Sequence, residues 1–198
     1  RCLKYGVTAD YVMAIEVVLA DGRVLRTGNK CLKNVTGYDL VHLFVGSEGT
    51  LGVITEVTVR LVPRPQAKRT ALATFDDIEQ ASGAVNDILL AGVLPATLEI
   101  IDETAIRCVE EYLHLGLDCT SEAMLIIETD GDPEGAEREI EIAAQVCRQA
   151  GAKEVTIARN QVESDELWRA RRSVSPSLGR VRPNKLGEDI VVPRSAIP

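Results

Sequence analysis

The sequence has few of the residues that build metal centres, disulfide frameworks and membrane spans. It contains only two histidines, His42 and His114, which lie far apart. Its five cysteines are odd in number and include no C-x-x-C pair. We therefore expect no metal site and no disulfide framework, but the buried, reduced thiols of a cytosolic protein. No apolar run approaches the roughly 18 residues that a membrane span needs, since Glu16 interrupts even the run from Tyr11 to Ala20.

The net charge of −8 is unevenly distributed along the chain. Residues 1–62 carry seven basic and six acidic side chains, whereas residues 63–198 carry fifteen basic and twenty-four acidic ones. The change falls at Pro63-Arg-Pro65, where proline cannot continue the hydrogen-bond ladder of a strand. We predict a domain boundary there, with one domain over residues 1–62 and a second over residues 63–198. A chain with this excess of negative charge is a poor candidate for binding nucleic acid or an anionic membrane surface.

The two predicted domains differ in their secondary-structure pattern. Before residue 62 we predict strands over Tyr11–Ala20, Arg23–Thr27 and Val53–Leu61, an Asp21-Gly22 hairpin turn and one short helix over Leu40–Val45. After residue 67 strands and helices alternate. The predicted strands are 68–75, 97–101, 123–128, 154–158 and 190–192, and the predicted helices are 77–91, 103–115, 133–150 and 164–173. This pattern predicts an α+β domain, a ferredoxin-like antiparallel sheet with helices on one face.

Three glycines spaced by two residues, Gly46, Gly49 and Gly52, precede the strand that begins at Val53. They do not form the dinucleotide fingerprint, because that motif follows a strand and opens a helix. Glycine permits positive φ and close approach of the backbone, and free amides in such a turn can bind an anion. A plain structural turn explains the same spacing, and the glycines alone leave both interpretations open.

The residues around these glycines resemble a known family. Lys33-Asn-Val-Thr-Gly-Tyr-Asp-Leu40 and Leu43-Phe-Val-Gly-Ser-Glu-Gly-Thr-Leu-Gly-Val-Ile-Thr-Glu56 are similar to the FAD-linked oxidases of the vanillyl-alcohol-oxidase or p-cresol-methylhydroxylase (PCMH) type. Within that family the similarity is greatest to glycolate oxidase flavoprotein subunits and D-lactate dehydrogenases. It implies that residues 1–62 are the C-terminal part of a PCMH-type FAD-binding domain. Residues 63–198 would be a truncated FAD-linked oxidase C-terminal domain, the substrate or cap domain.

The resemblance implies FAD as the cofactor, bound mainly through backbone amides. The residues implied to lie near the nucleotide are Gly46, Glu48, Gly49, Gly52, Val53 and Ile54, with Gly6 at an earlier backbone contact. Asn34, Gly37 and Tyr38 are implied to lie toward the isoalloxazine. For Asn34 and Tyr38 the alternative is ordinary packing within a turn.

A basic segment follows in the second domain. From Leu167 to Gly187 there are six Lys or Arg residues and no acid. Arginine pairs bidentately with carboxylates, although a solvated helix face is the simpler explanation for most of the six. The resemblance implies that the arginine of a Trp-x-x-Arg pattern, Arg171, binds the substrate carboxylate and that Ser175 supplies a hydroxyl. It also implies a substrate-binding lysine near Gly187, for which Lys185 is the candidate.

The resemblance implies that the chain is a fragment of an FAD-dependent 2-hydroxy-acid dehydrogenase. The whole enzyme would oxidise glycolate or D-lactate to the 2-oxo acid, passing a hydride to flavin N5. Iron–sulfur and second flavin-domain subunits are implied as partners, in the cytoplasm or, through those subunits, at the inner-membrane periphery.

We expect that the chain lacks segments on both sides. The first half of the FAD domain would precede Arg1, and the catalytic base and metal ligands would follow Pro198. No catalytic or metal-binding residue is therefore assigned here, and the fragment alone is expected to be inactive and to hold FAD weakly. The alternative is a non-catalytic ferredoxin-like module that binds a small carboxylate or a partner chain.

Overall fold

The computed structural model describes residues 2–182, 184, 186–193 and 196. The chain divides into two units, one of Gly6–Arg64 and a larger one of Arg1–Tyr5 with Pro65–Pro198. The larger unit includes a first short helix, α1, at Cys2–Tyr5. The charge pattern had placed these first residues in the N-terminal domain.

A buried carboxylate explains why α1 belongs to the larger unit. Asp130 accepts hydrogen bonds from Lys4 Nζ at 2.7 Å and from the Tyr5 hydroxyl at 2.7 Å. Lys4 also donates to the Asp130 carbonyl at 2.8 Å. Burial opposes ionisation of Asp130, but the bonds from Lys4 and Tyr5 outweigh it and lower the pKa of this carboxyl. The Lys4–Asp130 contact joins residues that are 126 positions apart in the chain, and it holds α1 on the larger unit.

The smaller unit is a three-stranded antiparallel sheet with one helix. Its strands are β1 (Val12–Val18), β2 (Val24–Gly28) and β3 (Val53–Val59), in the order β2-β1-β3. Helix α2 (Leu40–Phe44) packs Val41 and Phe44 onto β1, where they meet Ile15 and Val17. The predicted hairpin is present, and Gly22 adopts φ +82°.

The larger unit has a four-stranded antiparallel sheet. Its elements are β4 (Ala67–Phe75), α3 (Ile78–Leu90), β5 (Thr97–Asp102), α4 (Glu103–Leu113), β6 (Ala123–Gly131), α5 (Pro133–Gln149), β7 (Glu154–Ile157) and α6 (Gln161–Val181). The strand order is β5-β6-β4-β7. With α3 and α5 as the connecting helices, this is the ferredoxin-like topology that the sequence predicted.

Helices cover both faces of this sheet, whereas the sequence predicted helices on one face. Helices α3 and α5 pack on the face that carries Leu125 and Ile127. Helices α4 and α6 pack on the opposite face, against Met124 and Ile126. The reason is visible in β6, whose first eight residues are all buried. A strand that is apolar on both sides needs cover on both.

The last part of the chain differs from the prediction. Helix α6 is longer than the predicted 164–173 because Asn160 caps its start, accepting from the Glu163 amide at 3.0 Å. It then continues through Pro176. The strand predicted at residues 190–192 is absent, and Ile190 and Val191 are exposed.

The helices and cysteines of the described residues form neither a membrane span nor a disulfide. None of their helices is long and apolar enough to cross a bilayer. All five cysteines are free; Cys147 is buried, whereas Cys2 and Cys31 are exposed. Burial raises the pKa of the Cys147 thiol to about 12. That thiol stays protonated and therefore unreactive at neutral pH.

Candidate functional site

The glycine loop of residues 46–52 joins α2 to β3 and leaves part of its backbone open. Gly46, Glu48 and Gly49 have φ of +90°, +50° and +78°. A Cβ added to Gly46 or Gly49 would meet no atom within 4 Å. This side of the loop therefore has space beside its backbone.

The amides of this loop are only partly used within the turn. The Ser47 amide donates to the Phe44 carbonyl, and the Thr50 amide donates to the Ser47 carbonyl, both at 3.0 Å. Within the described part of the chain, the amides of Glu48 and Gly49 have no backbone acceptor. Two adjacent free amides in positive-φ backbone can bind an anion such as a phosphate oxygen.

Gly6 and Gly52, which the resemblance implies to lie near the cofactor, are also required to be glycine by packing within the smaller unit. A Cβ on Gly52 would lie 2.6 Å from Val17 Cγ1 and 2.9 Å from the Val18 carbonyl oxygen. At Gly6, φ is +75° and a Cβ would lie 2.2 Å from the Asp10 carboxylate. That carboxylate accepts from the Val7 amide at 2.7 Å. Packing within the smaller unit accounts for both positions.

Val53 and Ile54 open β3 and pair with Val18 and Val17 of β1. Their side chains stay largely uncovered, Val53 at 63% and Ile54 at 37% exposure. The strand thus holds one end of the glycine loop against the sheet, while its apolar side chains remain accessible.

A polar cavity of about 410 Å³ brings together the other implied residues, Asn34, Gly37 and Tyr38. The Asn34 side-chain oxygen accepts from the Thr36 amide at 3.3 Å and so closes a turn. Tyr38 is 94% exposed, so packing does not explain it. The glycine-loop residues 46–52 do not line this cavity.

His42 also lines this cavity, although no sequence motif assigned it a role there. Its Nδ1 lies 2.7 Å from Asp39 Oδ2, and its Nε2 lies 3.1 Å from the Ala9 carbonyl oxygen. Both partners only accept, so the ring satisfies both when it is a cation. Consistently, the hydrogen bond to Asp39, then that to Ala9, raise the pKa of His42. The cavity wall therefore carries a titratable imidazole whose two hydrogen-bond partners favour its cationic form.

In the larger unit, Arg171 lines a second cavity, of about 890 Å³. Its Nε donates to Glu99 Oε2, which also lines the cavity. Ser175 lies one helical turn further along α6 and does not line it. Lys185 lies outside the described residues. Of the two implied substrate residues that the structure describes, Arg171 lines this cavity and Ser175 does not.

Comparison with known proteins gives a family match over most of the chain. The model of the "FAD linked oxidases, C-terminal domain" family matches residues 64–198. These residues include β4 to α6. They therefore include every residue that lines the Arg171 cavity except Cys2 and Leu3 of α1.

Several curated relatives match the whole chain. Glycolate oxidase subunit GlcD of Bacillus subtilis (strain 168) is 47% identical over 197 residues, which are 100% of this chain and 42% of the relative. The probable mitochondrial D-lactate dehydrogenase of Danio rerio is 32% identical over 203 residues, 100% of this chain and 40% of the relative. The chain thus spans about two fifths of the length of these relatives.

Solved structures share the fold. An alkyldihydroxyacetonephosphate synthase structure aligns with a TM-score of 0.67 and 22% identity, over 91% of this chain and 35% of that one. At this identity the likeness concerns the arrangement of strands and helices alone.

Proposed function

The chain belongs to the FAD-linked oxidases, as its motifs predicted, and on this premise we propose that it is part of an FAD-dependent 2-hydroxy-acid dehydrogenase. Its substrate would be a small 2-hydroxy acid such as glycolate or D-lactate, and its product the 2-oxo acid. The observation that carries the proposal is the position of Arg171. It places a guanidinium at a cavity in the unit that matches the family's C-terminal domain.

FAD is the family's cofactor, and when bound it supplies the hydride acceptor. We assign the smaller unit, as the end of an FAD-binding domain, to hold part of it. The amides of Glu48 and Gly49 would bind phosphate oxygens, with Gly46 giving space beside them. The remaining proposed contacts are Gly6, Gly52, Val53 and Ile54 along the nucleotide, and Asn34, Gly37 and Tyr38 toward the isoalloxazine.

For the substrate, Arg171 would bind the carboxylate through paired N–H groups. This contact fixes which end of a 2-hydroxy acid is held and leaves the α-carbon to be oxidised. Ser175 and Lys185 stay proposed substrate residues. The proton of the 2-hydroxyl would be taken by a base outside these 198 residues.

We further propose that the whole protein is a subunit of a glycolate-oxidase-like complex. The relative named a glycolate oxidase subunit supports this. The proposed partners are an iron–sulfur subunit and a second flavin-domain subunit. The proposed location is the cytoplasm, at the inner-membrane periphery through those partners.

The proposal is tested by substituting Arg171 in the longer flavoprotein that would contain this chain. Arg171→Lys keeps the charge and loses the bidentate geometry, so we expect KM for glycolate or D-lactate to rise roughly tenfold or more. Arg169→Lys is the matched control, because Arg169 is exposed on the same helix and does not line the cavity. Equal KM values in the two variants would contradict the proposed substrate site.

A further inference from the structure

Glu99 lies on β5, an edge strand of the larger sheet, and reaches across to α6. Its Oε2 accepts from Arg171 Nε, and both side chains line the cavity of about 890 Å³. The pair is half-buried, with 28% of the Glu99 side chain and 45% of the Arg171 side chain exposed. This contact joins two elements that are 72 residues apart in the chain.

The contact uses the Nε side of the guanidinium and leaves its Nη1–Nη2 edge without a hydrogen bond. Among the described residues, the hydrogen bond of Arg171 is made by Nε to Glu99, and neither Nη1 nor Nη2 makes one. A guanidinium binds a carboxylate through two parallel N–H groups, and the Nη1–Nη2 edge can supply both. Glu99 is therefore placed to hold Arg171 without occupying the edge that a substrate carboxylate needs.

The other acid of the cavity does not share this role. Asp102 also lines the cavity, but its carboxylate caps α4 by accepting from the Ala105 amide at 2.8 Å. That leaves Glu99 as the acidic cavity-lining residue in contact with Arg171 among those described.

We propose that Glu99 is a positioning residue for substrate binding: it fixes the plane and direction of the Arg171 guanidinium. This inference rests on the proposed function, because it needs Arg171 to bind a carboxylate. A long arginine side chain otherwise loses rotamer freedom when it binds. Holding it by Nε before the substrate arrives reduces that cost and favours binding.

The test measures, by calorimetry, the affinity of the longer FAD-loaded protein for oxalate, a carboxylate probe that does not react. Glu99→Ala is expected to weaken oxalate binding roughly fivefold, as for a half-exposed ion pair. KM for the 2-hydroxy acid should rise by a similar factor with kcat little changed, because uniform binding is lost. Glu99→Gln should lose less, since its amide oxygen still accepts from Nε.

A double-mutant cycle separates positioning from a merely structural role. Glu99→Ala should have no further effect on oxalate affinity when Arg171 is already Lys. The control is Glu137→Ala, which removes a comparable exposed pair with Arg69 elsewhere on the unit.

Three results would overturn the inference. If Glu99→Ala binds oxalate as tightly as wild type, Glu99 does not position Arg171; tighter binding would show that it competes with the ligand. If instead Arg171→Lys leaves oxalate affinity unchanged, the proposed carboxylate site itself fails, and the role of Glu99 falls with it.

Discussion

Replacing Gly52 by alanine should displace the glycine loop from the sheet of the smaller unit. The new Cβ would lie 2.6 Å from Val17 Cγ1 and 2.9 Å from the Val18 carbonyl oxygen. Ordinary carbon contacts are about 3.5–4 Å, so the loop must retreat by roughly 1 Å. Val17 is fully buried in the central strand β1, which is paired on both sides and cannot yield. Overpacking of this kind costs about 1–3 kcal/mol.

The assay must report the smaller unit alone. The single tryptophan, Trp168, lies in α6 of the larger unit, so its fluorescence follows that unit. Amide hydrogen exchange along β1 and β3 follows the smaller one. We expect Gly52→Ala to lower the free energy of opening of those amides by about 1–3 kcal/mol and to leave the Trp168 transition in place.

Gly83→Ala is the matched control. Gly83 lies inside α3, and a Cβ there would meet no atom within 4 Å. Alanine in a helix interior should stabilise the larger unit by about 0.5–1 kcal/mol. If Gly52→Ala leaves the protection of β1 and β3 unchanged, the close packing of the loop on β1 is refuted.

Two charged contacts give further predictions. Lys4→Met removes the Asp130 ion pair, whose carboxylate side chain is 1% exposed, and should lower the free energy of unfolding by about 2 kcal/mol in urea denaturation at neutral pH. Because the folded-state pKa of Asp130 is lowered, this stabilisation is present above the unfolded-state pKa and is lost as pH falls through the folded one. An equal wild-type-to-variant difference at neutral and acid pH would contradict it. Asp39→Asn should lower the pKa of His42 in an NMR titration, since Asp39 is the main cause of its rise. The raised pKa of His42 stabilises the fold fully below the unfolded-state pKa, and this contribution disappears as pH rises through the folded one. Identical His42 titrations in the two proteins would show that the Asp39 contact does not form in solution.

Local signals in the sequence were enough to predict much of the fold. Asp77 caps α3 at the predicted start of that helix, as a short polar side chain before a helix commonly does. Pro133 marks the first turn of α5. The Asp21-Gly22 turn fixed the first hairpin. In each case the deciding contact spans only a few residues.

Long-range contacts could not be predicted in this way. Nothing near Lys4 indicates that it pairs with Asp130, which places α1 in the larger unit. Similarly, the sequence around Glu99 predicts no more than a polar residue in a strand. Only the packing of α6 beside β5 brings Glu99 to Arg171. The family motif identified Arg171, but its partner emerged only from the folded chain.

The most direct test of the proposed function is the flavin of the longer protein itself. We predict that the purified protein carries FAD and that anaerobic glycolate or D-lactate bleaches its visible absorbance, with loss of bleaching at low substrate in Arg171→Lys. A protein that retains FAD but is not bleached by either acid would contradict the proposed 2-hydroxy-acid dehydrogenase.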